Sequence, residues 1–141
     1  MVRVMASGVF DILHYGHLYY LQEAKKLGDE LVVVVARDST VGGRKGEPVM
    51  PEELRAKMIQ GLKPVDRCVL GREDDPYKTV EEIKPDIIAL GYDQKHDEEA
   101  LKKELSRRGL EVKVARIGKY DHDIDGTRKI IERISRRRTE R

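Results

Sequence analysis

The sequence predicts an α/β fold: one doubly wound, Rossmann-like domain with a five-stranded parallel sheet and helices on both faces. Three observations lead there. Short apolar runs alternate with helix-period segments along the whole chain. The runs Leu31-Val32-Val33-Val34-Val35 and Ile87-Ile88-Ala89-Leu90 are apolar at successive positions, as strands buried on both faces must be. The length, 141 residues, suits a single core of this kind.

Strands are predicted over residues 3–7, 30–36, 67–70, 86–90 and 111–115, and helices over 17–27, 51–62, 76–83, 97–108 and 127–138. Pro51 falls at the first position of its helix and is followed by Glu52 and Glu53, a favourable start. Leu54, Met58, Ile59 and Leu62 are read as the core face of that helix. Gly28 and Gly109 stand where C-terminal caps belong. The stretch 37–46, with three glycines around Arg44-Lys45, is read as a mobile basic loop. The domain is expected to span 1–132, with 133–141 a fraying basic tail.

Lys and Arg number 28 against 26 Asp and Glu, a formal net charge of +2, so no global pull toward nucleic acid or membrane is expected. Charged residues reach 38% and Asn is absent, a pattern resembling proteins from hot environments. No apolar run approaches the ~20 residues that span a bilayer. Met1 leads directly into a strand, so no secretory leader is expected and a cytoplasmic location is. Cys68, the single cysteine, sits in an apolar run and reads as packing.

The most informative segment is Gly8-Val9-Phe10-Asp11-Ile12-Leu13-His14-Tyr15-Gly16-His17, at the first strand-to-helix turn. A helix N-terminus there aims backbone N–H groups at whatever lies above it, and phosphate is the usual occupant. Gly8 allows a tight exit from the strand, and Gly16 lets backbone approach an anion. His14 and His17 add imidazole donors, which suits charge stabilisation on a transferring phosphoryl group. Phe10 reads first as packing under the turn. Asp11 could orient a histidine or a loop amide, or coordinate a nucleotide-bound metal. Zinc is a poor alternative for the two histidines, because one cysteine and no C-x-x-C accompany them.

The pattern G-x-F-D-x-x-H-x-G-H resembles the HxGH nucleotidyltransferase superfamily, within it the cytidylyltransferase-like family, and there most of all the archaeal FAD synthases (FMN adenylyltransferases). The likeness extends to the other post-strand loops and so covers nearly the whole chain. It implies catalytic roles for His14, His17 and Lys45, with Arg44 as the alternative basic residue on the triphosphate. It implies nucleotide contacts from Gly8, Val9, Phe10, Gly16, Tyr92, Asp93, Gln94, Arg116 and Thr127. Asp11, Asp38, Arg44 and Arg55 would lie toward the acceptor. Gly126 stands where many relatives carry Ser, a departure that removes one hydroxyl.

The expected reaction is attack of an acceptor phosphate on the α-phosphorus of a nucleoside triphosphate, with Mg²⁺ or another divalent cation carried on the triphosphate. The resemblance favours ATP and FMN. A cytidylyltransferase using CTP and glycerol 3-phosphate or a similar alcohol phosphate is the alternative, and no residue visibly separates adenine from cytosine. A non-catalytic nucleotide-binding regulator is a further alternative; a nucleic-acid module is disfavoured for lack of an aromatic platform. A homodimer is expected from the wide apolar face of the first helix, including Leu18, Tyr19, Tyr20 and Leu21, and from the resemblance.

Overall fold

A computed structural model describes residues 1–45, 48–92, 94, 98–120 and 126–140, apart from the side chains of 42–45 and 139–140. Its strands are β1 (Arg3–Gly8), β2 (Glu30–Val35), β3 (Arg67–Leu70), β4 (Ile87–Leu90) and β5 (Lys113–Arg116). Its helices are α1 (Tyr15–Lys25), α2 (Asp38–Lys45), α3 (Glu52–Gln60), α4 (Pro76–Ile83), α5 (Glu98–Arg107) and α6 (Thr127–Glu140). The strands form one sheet in the order β3-β2-β1-β4-β5, every pairing parallel. This is the predicted doubly wound sheet, and its order reverses between β1 and β4.

Strand alternation builds two cores. Leu31, Val33 and Val35 join Val4, Ala6, Leu21, Ala24 and Ile59 on the α1/α3 face. Val32 and Val34 join Met5, Val80, Ile83, Ile88, Leu90 and Leu105 on the α4/α5 face. Each fully buried Val, Leu or Ile contributes about 1.5–3 kcal/mol by leaving water. That is why a run of uninterrupted valines makes a central strand.

Four expectations need correction. Residues 38–45, expected in a loop, form α2 despite Gly42 and Gly43. The Glu52 carboxylate accepts the Asp38 N–H at 3.0 Å, and Asp38 accepts the Glu52 N–H at 3.2 Å. Each carboxylate thus satisfies an orphan donor at the start of the other helix, which offsets the glycine cost. Pro51 is the N-cap of α3 rather than its first helical residue. Leu54 and Met58 are exposed, and the core side of α3 is Arg55 and Ile59. Gly109 adopts the left-handed φ of +76° expected of a cap. Gly28 does not: α1 ends at Lys25 with Lys26 as its C-cap, and a Cβ on Gly28 would lie 2.7 Å from the Val2 carbonyl oxygen, so close approach of chain to chain demands this glycine. The last helix, predicted over 127–138, runs from Thr127 to Glu140 as α6.

Candidate active site

Ligands of doubly wound sheets bind past the carboxyl ends of the strands where the order reverses. Here that place lies between β1 and β4. Toward β2, β1 stays paired to its last residue, Gly8 opposite Val35. Toward β4, pairing stops at Ala6 opposite Ala89. The sheet therefore opens a cleft whose near wall is the double-histidine turn.

The turn is held in an unusual backbone shape. Phe10 and Ile12 take positive φ values of 55° and 54°, a conformation costly for residues with a β-carbon and common at functional sites. The Phe10 ring is buried and folds back over Gly8, where an added Cβ would meet it at 3.0 Å. Gly8 is thus required by Phe10 packing as well as by the strand exit.

His14 is the N-cap of α1, and its Nδ1 accepts the Gly16 N–H at 3.0 Å. His17, one turn on, accepts the His14 N–H on its own Nδ1 at 3.2 Å. In a neutral imidazole the accepting nitrogen carries no proton, so both rings present Nε2–H as their donor. The rings lie 3.9 Å apart, and Phe10 packs edge-on to His17 at 5.4 Å. Burial, with repulsion from His14, lowers the His17 pKa to about 4, although Asp11 works in the opposite direction. His17 is therefore a neutral hydrogen-bond donor at pH 7. No acidic side chain occupies the first turn of α1, so the positive end of that helix has no carboxylate of its own there.

Asp11 binds loop amides. Its two carboxylate oxygens accept the N–H groups of Val49 (2.7 Å) and Met50 (3.0 Å). The Thr127 hydroxyl donates to the Asp11 carbonyl at 3.0 Å, which ties the start of α6 to the turn. Of the roles open to Asp11 from sequence, the structure shows the loop-amide one.

Arg55 is 1% exposed. Its guanidinium donates to the carbonyls of Met50 (2.9 Å), Val9 (2.8 Å) and Ala36 (2.7 Å), and to the Asp38 carboxylate at 2.5 Å. That contact, chiefly, holds the Asp38 carboxyl below its ordinary pKa. Asp38 and Arg55, both expected toward the acceptor, are paired with each other. Arg37 completes the cluster on Glu52 at 3.2 Å and on the Gly71 carbonyl at 2.7 Å.

On the far wall, the Gln94 side chain accepts the Gly91 N–H and donates to the Ser7 carbonyl, both at 2.8 Å. Arg116 donates to the carbonyls of Gly91 and Gln94 at 2.7 Å each and pairs with Glu98 at 2.8 Å. Tyr92 and Val9 are exposed at the rim, and the Lys119 ammonium stands 5.8 Å from the Tyr92 ring centre. Asp93 lies outside the described residues, as do the side chains of Arg44 and Lys45 at the end of α2. Among the described residues no group of three His, Cys, Asp or Glu could hold a metal ion. No described helix is long and apolar enough to cross a membrane.

The family model for cytidylyltransferase-like proteins matches residues 5–135. The chain belongs to the cytidylyltransferase-like family. Among curated members, a protein named FAD synthase from Aciduliprofundum boonei is 64% identical over 135 residues, covering 95% of this chain and 91% of that one. Another FAD synthase, from Thermoplasma acidophilum, is 55% identical over 97% of this chain and 99% of its own length. A solved structure described as a lipopolysaccharide core biosynthesis protein from Thermoplasma volcanium superposes with a TM-score of 0.84 at 60% identity, covering 86% of this chain and 99% of that one.

Sequence reading missed Tyr20, Glu52 and Arg37. Tyr20 was grouped with an apolar helix face, yet its hydroxyl accepts from Ser7 N–H (3.3 Å) and donates to the Ala89 carbonyl (2.5 Å). A buried Tyr needs a partner for its hydroxyl, and that was the available signal. Glu52 was read only as a helix-start acid, and its pairing with Asp38 is a tertiary fact.

Proposed function

We propose that this member of the cytidylyltransferase-like family is an FAD synthase, transferring AMP from ATP to FMN with release of pyrophosphate. The observation that carries the reading is the pair of imidazoles whose Nδ1 atoms accept backbone N–H groups at the start of α1, so that their Nε2–H donors stand beside a helix N-terminus at the switch point. The names of relatives at 55–64% identity over nearly the full chain supply the substrates.

In the reaction, an FMN phosphate oxygen bonds to the α-phosphorus as the bond to the β-phosphate oxygen breaks. Pyrophosphate leaves with that electron pair. The FMN phosphate is ionised at neutral pH, so no general base is required. His14 and His17 donate to α- and β-phosphate oxygens as charge grows there, and the helix end adds its field. Gly8, Val9, Phe10 and Gly16 shape the turn, while Tyr92, Asp93, Gln94, Arg116 and Thr127 form or support the nucleoside side. Lys45 and Arg44, at the end of α2, hold the β/γ phosphates. Asp11, Asp38 and Arg55 fix the 49–50 loop and the α2/α3 junction on the acceptor side.

A divalent cation such as Mg²⁺ fits as a passenger on the triphosphate, bound largely by phosphate oxygens, and would neutralise leaving-group charge. Asp11 already spends both oxygens on amides, which agrees with that mode. Residues 1–132 carry the chemistry, and the basic stretch 133–141 does not. The protein works in the cytoplasm as a homodimer without nucleic acid. Two of the α1 residues that suggested a dimer have partners within the chain: Tyr19 packs on Tyr120 at 5.5 Å, and the Tyr20 hydroxyl is bound to Ser7 and Ala89. The dimer reading therefore rests on exposed Leu54 and Met58.

Pyrophosphate release across a grid of ATP or CTP with FMN or glycerol 3-phosphate tests the assignment. ATP with FMN should be the productive pair. CTP with glycerol 3-phosphate alone would make the protein a cytidylyltransferase, and silence throughout would make it a binding protein.

A further inference from the structure

The β1–β4 ladder ends in an inserted side chain. In the register Val4 opposite Ile87 and Ala6 opposite Ala89, the next parallel rung would join the Gly91 N–H to the Ser7 carbonyl. The Gln94 amide stands between them, its Oε1 accepting from Gly91 and its Nε2 donating to Ser7, each at 2.8 Å. A primary amide carries one acceptor face and one donor face, so it spaces two strands by one extra group while satisfying both backbone partners. The Tyr20 hydroxyl braces the rung below, between Ser7 N–H and the Ala89 carbonyl. Arg116, held by Glu98, grips the Gly91 and Gln94 carbonyls and fixes the spacer from behind.

We propose that Gln94 is a positioning residue whose side-chain amide, braced by Tyr20, sets the width of the nucleotide cleft between the histidine turn and the Gly91–Tyr92 edge. This rests on the nucleotidyltransferase reading above. Ser7 and Gly8 lead straight into the turn that carries His14 and His17, and Gly91 begins the opposite wall. A spacer at this rung therefore determines how far the two walls stand apart. Small misplacement of reacting groups is expensive: about 1 Å can cost roughly 10²-fold in rate.

Two substitutions separate this role from simple stabilisation. Gln94→Met keeps the length and loses both hydrogen bonds. Gln94→Glu keeps the acceptor for Gly91 but, while ionised, has no proton to offer Ser7. Protonated Glu regains that donor, so its defect is expected to fade as pH falls, whereas that of Gln94→Met does not. Tyr20→Phe, which retains the ring, is the second site should Gln94→Met fold poorly.

The experiment measures ATP affinity by titration calorimetry and FAD formation by the whole protein from pH 8 to pH 5, each variant as a ratio to wild type, with thermal midpoints alongside. The expected result is a loss of about tenfold or more in ATP affinity or kcat for both Gln94 variants at pH 8, with folding retained. Recovery at low pH should be confined to Gln94→Glu, and Tyr20→Phe should be impaired in the same parameter. Wild-type affinity and kcat in Gln94→Met would overturn the proposal, as would a Gln94→Glu defect with no pH dependence. If wild type binds ATP yet makes no FAD, the enzyme reading fails and the affinity ratios still decide the role of Gln94. If wild type binds no ATP, both fall.

Discussion

His17 caps the backbone of His14: its Nδ1 accepts the His14 N–H at 3.2 Å, while the two rings stack 3.9 Å apart. The contact makes a structural and a chemical half of each imidazole distinguishable. Asn can place its side-chain oxygen where Nδ1 sits and caps helices well, but it has nothing in the position of Nε2. His14→Asn and His17→Asn should therefore keep the fold, with thermal midpoints near wild type, and lose roughly 10²-fold or more in kcat. Steady-state kinetics beside thermal melts check this; near-normal kcat in both variants would remove the histidines from the mechanism.

The lowered His17 pKa has a consequence for stability. The folded state disfavours the imidazolium, so the stabilisation is fully present above the unfolded pKa of 6.5. It is lost as pH falls from there to about 4, because the unfolded chain binds the proton first. The swing amounts to about 3 kcal/mol at most. Urea melts of the nucleotide-free protein between pH 7 and pH 4 should show the decline, and His17→Asn should flatten it. Acidic groups act lower: Arg72 beside Asp74, and Arg107 and Arg108 beside Glu104, hold those carboxyls at about 2, so their contribution fades as pH falls from their ordinary values of 3.8 and 4.5 to about 2.

Arg55 joins three backbone carbonyls and Asp38 in a site almost without water. Arg55→Met would leave those carbonyls unpartnered and should destabilise by about 3–5 kcal/mol, measured by chemical denaturation. Asp38→Asn should cost less, since the Asp38 side chain is 38% exposed and keeps one acceptor for Arg55. Equal and small effects would show that the cluster is not the joint between β1, β2 and α3 described above.

Lys45 and Arg44 act on charge, and their removal should read differently. Lys45→Ala with Arg44→Ala is expected to raise the KM for ATP more than it lowers kcat, and to weaken the salt dependence of KM. Unchanged kinetics in the double variant would leave the end of α2 as ordinary surface.

Much of the fold was legible because burial writes itself into β2 and β4 as uninterrupted apolar runs. The double-histidine turn was legible because its spacing has few other uses. What escaped depends on contacts distant in sequence. Two glycines hid α2, which exists because Asp38 and Glu52 exchange carboxylates across 14 positions. The face of α3 was misjudged because a buried guanidinium contradicts apolar periodicity; Arg55 is inside only where three carbonyls and a carboxylate converge. Gly28 looked like a cap and is instead a point where the chain passes Val2. The Gln94 spacer was invisible because nothing in Gly91-Tyr92-Asp93-Gln94 reveals that its amide reaches back to Ser7.

The most direct test of the central claim follows the α-phosphate. With ATP labelled at that phosphorus, unlabelled FMN and Mg²⁺, wild-type protein should place one label in FAD for each pyrophosphate released, and His14→Asn should slow both together by roughly 10²-fold or more. Pyrophosphate release with no label in FAD, or label transfer undiminished in His14→Asn, would contradict it.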